Sequence, residues 1–382
     1  MLALVHFFFL SMTPTIVIAF LIATLIPIAV LVFVRKIDKY QTGTLGYVPV
    51  SFVSGMIAYV LAAQINPWLM NQGITDYDNL VRFYAPIIEE VLKVLIIIYL
   101  VQRGDFTYFV DGAVFGFAVG IGFAVFENYE YVLASPDSAM FQAIARVIST
   151  NLMHAAATGS LGITLGLART QRFGKKISLV LSGLVIAIGI HMAYNNLVTR
   201  VSSGLLLLYA AIAGIGSAIF IATVIKRGFR SEQKQMAETL QNVGRLTVQE
   251  VSAVSQVDQM KQFLAPTEKM FGRKKAQQAE KLIRLQAKLG ILTKSAASFA
   301  EIGDEKMRLS TEKQIDALHK DMEAIRNQAG AYFMLYFRNI FPQTGSPLWD
   351  NLQNIIDDRT KAPRNPNAPS LWGNLDTKIK NE

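Results

Sequence analysis

A small set of polar side chains stands inside otherwise apolar stretches of this 382-residue chain, and its spacing is helical. Glu89, Glu90 and Lys93 lie in PIIEEVLKVL. Glu90 and Lys93 are i, i+3, and Glu89 and Lys93 are i, i+4, so one ammonium can reach either carboxylate and offset part of the cost of burying it. Glu127, Asn128 and Glu130 lie in FAVFENYEYV. Arg146, Thr150 and His154 recur every four residues, as do His191 and Asn195, so each group projects from one helix face. A desolvated glutamate can act as general base toward water. A histidine beside it can share or relay the proton. An asparagine amide and a second histidine can donate hydrogen bonds to the oxyanion of an attacked peptide carbonyl. This is water-mediated amide hydrolysis without a covalent intermediate. A second route uses Glu127, His154 and His191 as zinc ligands, with Glu89 or Glu90 as base.

Other hydrolase chemistries fit poorly. The sequence has no cysteine, no HExxH and no GxSxG. The only aspartate in a predicted span is Asp111, at its rim, so an aspartyl pair is not expected.

The elements that must position these residues are membrane helices. About 20 apolar residues cross a bilayer, and seven stretches qualify: about 14–34, 45–63, 84–101, 109–133, 141–168, 177–197 and 203–225. The start, MLALVHFFFLSM, has neither a basic region nor a small-residue cleavage site and is not read as a removable signal. Basic residues mark alternate loops: Arg35, Lys36 and Lys39, then Arg103, then Arg169, Arg172, Lys175 and Lys176, then Lys226, Arg227 and Arg230. By the positive-inside rule the N-terminus lies outside and the C-terminal part in the cytoplasm, a pattern that fits a bacterial inner membrane. On this topology, Glu89, Glu90 and Lys93, Glu127 to Glu130, Arg146 to His154, and His191 to Asn195 fall at similar depth near the outer face. Ionisable groups inside spans mark function by default, and a mere packing network would not gather four consecutive helices at one level. Gly112, Gly116 and Gly120, at i, i+4, i+8, read as a close helix–helix contact.

The expected architecture is an all-α, polytopic bundle over 1–225, a cytoplasmic helical or coiled-coil-like region over 226–357, and a disordered tail over 358–382. The basic excess falls mostly on residues 226–382, with 25 Lys+Arg against 18 Asp+Glu. That balance suits a soluble face near anionic lipid, and no nucleic-acid motif is present. Segments near 232–262, 267–297 and 305–341 read as amphipathic helices, punctuated by Pro266 and by Gly303-Asp304. They could carry homo-oligomerisation or partner binding.

The polar motifs resemble those of a known family. Pro86-Ile-Ile-Glu89-Glu90-Val-Leu-Lys93 resembles the EExxK motif of the PrsW family. Gly122-Phe123-Ala-Val-Phe126-Glu127-Asn128 resembles its second motif, His154 the isolated histidine of its third, and His191-Met-Ala-Tyr-Asn195 its closing HxxxN-type motif. The likeness covers about residues 45–200. PrsW proteins are similar to the CAAX prenyl endopeptidases, within a superfamily of glutamate-dependent intramembrane proteases. The resemblance implies cleavage of a membrane-anchored protein, in some members an anti-sigma factor cut on its extracytoplasmic side. It implies Glu89 as the base, Glu90 in support, and His154 as partner, with Glu127 holding that histidine or the water. His191 and Asn195 would line the oxyanion site, and Lys93, Phe123, Asn128 and Arg146 would support the set. Superfamily members are described both as metalloproteases and as metal-independent enzymes; a metal-free site is favoured here, with zinc as the alternative. Two other classes compete: an ion- or proton-coupled transporter using the same carboxylates, and a catalytically inactive membrane scaffold.

Overall fold

The computed structural model describes residues 13–37, 46–103, 106, 109–200 and 260–339, together with positions 208, 212, 214–216, 219, 223 and 226. The described residues are helical, with no strand among them. α1 (Pro14–Ile37) and α2 (Tyr47–Asn71) precede a helical turn at Tyr77–Asn79 and a π-helical turn at Leu80–Tyr84, which continues into α3 (Ala85–Val101). Then come α4 (Phe109–Ala134), α5 (Ala139–Ile148), α6 (Thr150–Ala168) and α7 (Phe173–Arg200). The C-terminal region supplies α8 (Met260–Phe271), α9 (Arg273–Ile302), α10 (Glu305–Ala329) and α11 (Ala331–Asn339).

Among the described residues, four helices are long and apolar enough to cross a membrane: Pro14–Val34, Tyr47–Asn71, Phe109–Ala134 and Phe173–Arg200. Leu21 and Leu25 on α1, Val53 and Ile57 on α2, and Leu181 and Val185 on α7 are large apolar side chains on the outer surface. Such a surface suits lipid rather than water. α3 has 17 residues and carries Glu89, Glu90 and Lys93; it is shorter than those four. The expected span 203–225 lies outside the described residues apart from scattered positions, as do most of segment 232–262 and the tail 358–382.

The expected helix 141–168 is broken at Ser149 (φ −114°, ψ −75°). Its hydroxyl returns to the Ala145 carbonyl at 2.6 Å, a back-bond that bends helices. Gly214 packs into the bend, where a Cβ would lie 2.4 Å from the Ile148 carbonyl oxygen.

α4 is the centre post of the bundle, buried along almost its whole length. Its glycines set the spacing of its neighbours. A Cβ on Gly112, Gly116 or Gly120 would fall 2.2, 2.3 and 2.4 Å from the carbonyl oxygens of Gly162, Thr158 and His154 on α6. On the other side, Gly122 meets Phe52 of α2 and Gly55 of α2 meets Val119, again backbone to backbone. This is small-residue packing, which brings helices together where lipid offers no hydrophobic drive.

In the C-terminal region, Leu282, Ile283 and Leu292 of α9 share one buried apolar cluster with Leu318, Met322 and Ile325 of α10, so amphipathic faces meet within one chain. Pro266 lies inside α8, and the break follows at Gly272, whose φ of 80° suits glycine. Gly303 (φ 76°) and Asp304, which accepts from the Met307 amide, end α9 and cap α10 as expected. Gly330 (φ 85°) divides the expected helix 305–341 into α10 and α11. Phe299 of α9 lies at the end of the bundle where Arg103 and Arg169 gather. The Arg169 guanidinium is 5.3 Å from the Phe106 ring and 5.1 Å from the Phe299 ring.

Candidate active site

At the opposite end of the bundle, the start of α3, the end of α4, the start of α6 and the end of α7 meet. α7 is tied to the π turn before α3: Asn195 Nδ2 donates to the Val81 carbonyl at 2.8 Å, and Arg82 Nε donates to Asn196 Oδ1 at 3.1 Å. These bonds fix where α3 begins and therefore where Glu89 and Glu90 point.

Lys93 and Glu90 are fully buried. Lys93 Nζ donates to Glu90 Oε1 at 2.8 Å, lies 2.8 Å from His154 Nδ1, and stands 3.8 Å above the Phe123 ring. That ring adds a cation–π contact in a water-poor setting. Glu90 also meets His191 Nδ1 at 3.0 Å and accepts from Thr158 Oγ1 at 3.2 Å. Glu127 Oε2 lies 2.8 Å from His154 Nε2 and 2.7 Å from Arg146 Nη2. Arg146 Nε donates to Asn128 Oδ1 at 2.8 Å, and Asn128 Nδ2 to Asn151 Oδ1 at 2.7 Å. The rings of His154 and His191 meet edge to face at 4.7 Å.

The network assigns the histidine tautomers. An ammonium has only donors to offer, so His154 Nδ1 accepts from Lys93 and the proton sits on Nε2, facing Glu127. Glu90, a carboxylate, accepts a hydrogen bond from His191 Nδ1–H, which leaves the lone pair on His191 Nε2. That nitrogen is 3.7 Å from Glu89 Oε2. Glu89 Oε2 is buried and has no hydrogen-bond partner, with Lys93 Nζ 4.0 Å away. Two bare acceptors thus face one another.

Ligand atoms of Glu89, His154 and His191 all lie within 4.8 Å of one another, a group that could hold a metal ion. Glu89 Oε2 and His191 Nε2 fit this use, each with an unengaged lone pair. The His191–Glu90 bond is the outer-shell contact that orients a ligating histidine. His154 fits once its Nδ1 or Nε2 is released by Lys93 or Glu127. The carboxylate in this set is Glu89, where the sequence pointed to Glu127.

The structure brings together Glu89, Glu90, Lys93, Phe123, Glu127, His154 and His191. Arg146 and Asn128 form an outer layer, and Asn195 lines a cavity of about 300 Å³ that also reaches Glu89 and Glu127. Arg146, Thr150 and His154 are not one continuous stripe, because the chain bends at Ser149; Arg146 and His154 nevertheless converge on Glu127. Thr150 faces Tyr194, at 2.9 Å between hydroxyls. Sequence reasoning missed Thr158, Asn151 and Tyr59. Thr158 is one turn beyond His154 and was open to the same face argument. Asn151 and Tyr59 carried no local signal.

Residues 43–225 match the family model described as PrsW family intramembrane metalloprotease. Over 126 residues the chain is 32% identical to the Protease PrsW of Shouchella clausii, a stretch covering 33% of this chain and 56% of that protein. The chain therefore spans little more than half the length of that curated relative. No solved structure matches the chain.

Proposed function

We infer that this chain, which belongs to the PrsW family through residues 43–225, is an intramembrane endopeptidase that cleaves a membrane-anchored protein with water activated at Glu89. The observation that carries this reading is the pair of bare acceptors, Glu89 Oε2 and His191 Nε2, 3.7 Å apart beside a cavity. A water between them donates a hydrogen to each and keeps a lone pair for attack. Glu89 takes the proton as the water adds to the peptide carbonyl. Asn195 has two amide hydrogens, one of them on Val81; the other serves the oxyanion. Glu90 holds His191 in its tautomer, and Lys93 balances Glu90. Glu89 gives that proton to the leaving amine as the C–N bond breaks, and His154, engaged by Lys93 and Glu127, fixes Glu127 beside the site.

A second reading rests on the 4.8 Å grouping of Glu89, His154 and His191. These residues would hold zinc, which when bound supplies Lewis acidity and a more acidic water. A transporter is less well supported: α4 from Ala113 to Ile121 is buried and apolar, so no polar side chain on that stretch of the central helix leads inward from the site.

The site lies at the end away from Arg103, Arg169 and Arg172. With those basic loops in the cytoplasm, the cut falls near the outer leaflet of a bacterial inner membrane and the C-terminal helices lie inside. The test compares membrane proteomes of cells making wild type or Glu89→Gln at matched levels. Cleavage products confined to wild type are expected. Identical product sets across several envelope stresses, with both proteins folded, would end the proposal.

A further inference from the structure

The cavity beside Glu89 is a groove with two walls. Tyr59, Ala62, Ala63 and Asn66 form one, at helical spacing along one face of α2. Val81, Ala85 and Glu89 form the other, on the π turn and α3. Glu130 and Ala134 of α4 complete it. The alanines leave the space open, and the Val81 carbonyl is held back by Asn195.

The polar lining is unbalanced. No lysine, arginine or histidine lines the groove among the described residues. Two of its donors are spent internally: the Tyr59 hydroxyl donates to Glu130 Oε2, and one Asn195 hydrogen goes to Val81; Tyr77, Tyr131 and the Asn66 amide are the uncharged donors that remain. Two of its acceptors are left over. Glu89 Oε2 and Asn66 Oδ1 are buried without partners. Glu127 is balanced by Arg146, whereas Glu130 has no cation within ion-pair distance among the described residues. A cavity lined by free acceptors and an unbalanced carboxylate complements a cationic donor.

We propose that this groove receives the segment of substrate next to its membrane-spanning helix, and that Glu130 selects a lysine or arginine in that segment. The proposal rests on the endopeptidase reading, and it makes Glu130 a specificity-determining residue rather than a catalytic one. Glu130 is exposed at the mouth of the groove, so a basic side chain paired with its carboxylate there holds the neighbouring peptide bond toward Glu89.

The test is binding, which does not depend on turnover. The full chain carrying Glu89→Gln is placed in nanodiscs of phosphatidylglycerol alone, so that no lipid amine competes. Labelled single-span peptides, identical except for one lysine, glutamine or glutamate beside the span, are titrated against it. The lysine peptide is expected to bind about tenfold more tightly than the glutamine peptide. Glu130→Gln should erase that preference, and Glu130→Lys should transfer it to the glutamate peptide. Tyr59→Phe, which keeps the carboxylate, should retain the lysine preference. Equal binding of the lysine and glutamine peptides, or a lysine preference that survives Glu130→Gln, would overturn the assignment. The same peptides with Glu89 intact report cleavage separately, so lack of turnover with selective binding tells against the endopeptidase reading and not against this subsite.

Discussion

His191 Nε2 faces Glu89 Oε2 across 3.7 Å, while the other nitrogen of the same ring is held by Glu90 at 3.0 Å. The two adjacent glutamates therefore have different work. Glu90 is enclosed by Lys93, His191 and Thr158, whereas Glu89 Oε2 is bare. Glu89→Gln should lower cleavage of a substrate found by the proteome comparison by about 10²–10⁴-fold, the usual loss for a general base, with melting in detergent little changed. Glu90→Gln should instead lower both stability and activity. Initial rates and thermal melts on the same preparations distinguish these outcomes; equal loss of stability in the two variants would contradict the division of roles.

Lys93 is the structural counterweight of the site. Lys93→Met keeps side-chain volume but leaves Glu90 without its cation in a fully buried position. Removing one partner of a buried pair costs roughly 3–5 kcal/mol, so a large drop in melting temperature is expected. A variant that melts like wild type would show that Glu90 finds another cation.

Gly120 holds His154 by backbone contact, since a Cβ there would lie 2.4 Å from the His154 carbonyl oxygen. Gly120→Ala should push α6 away from α4 and reduce cleavage by at least about tenfold, because small displacements at a reacting centre are costly. Gly189→Ala, on the helix that carries His191, meets nothing within 4 Å and should be neutral or slightly stabilising. Parallel assays and melts of both variants check the contrast.

Metal dependence follows from the histidine tautomers. Both His154 nitrogens are engaged, at 2.8 Å to Lys93 and 2.8 Å to Glu127, so the expected outcome is that cleavage survives a strong chelator. Loss of cleavage restored by zinc, with stoichiometric zinc in purified protein and none in His191→Ala, would favour the zinc reading.

Much of the site could be read from the sequence where its geometry is local. Glu89, Glu90 and Lys93 lie within one turn of a helix, and so do His191 and Asn195 within theirs. Alternate basic loops predicted that these groups share one end of the bundle, and they do. Contacts between helices carry no such period. Nothing near His154 announces Lys93, and nothing near Tyr59 announces Glu130. The bend at Ser149 was hidden because serine is common inside helices and the apolar run continues past it. Gly330 went unread for the opposite reason: the amphipathic pattern on either side of it is unbroken. The choice between Glu127 and Glu89 beside the histidines depends on how α4 turns about its axis, which its glycine contacts fix.

The order in which the site's parts are synthesised places a demand on the membrane. Lys93 and the histidine it meets are 61 residues apart. At about 5–20 residues per second, the α3 segment waits roughly 3–12 s for His154 to emerge, and longer for His191. Throughout that interval its ammonium and two carboxylates have one another and little else. α4, apolar enough to enter lipid alone, meanwhile exposes a glycine-lined face whose partner helix does not yet exist. In a newborn chain α3 and α4 stand without those partners until α6 and α7 arrive, so the residues that make the site polar are also the last to be satisfied as the protein is built.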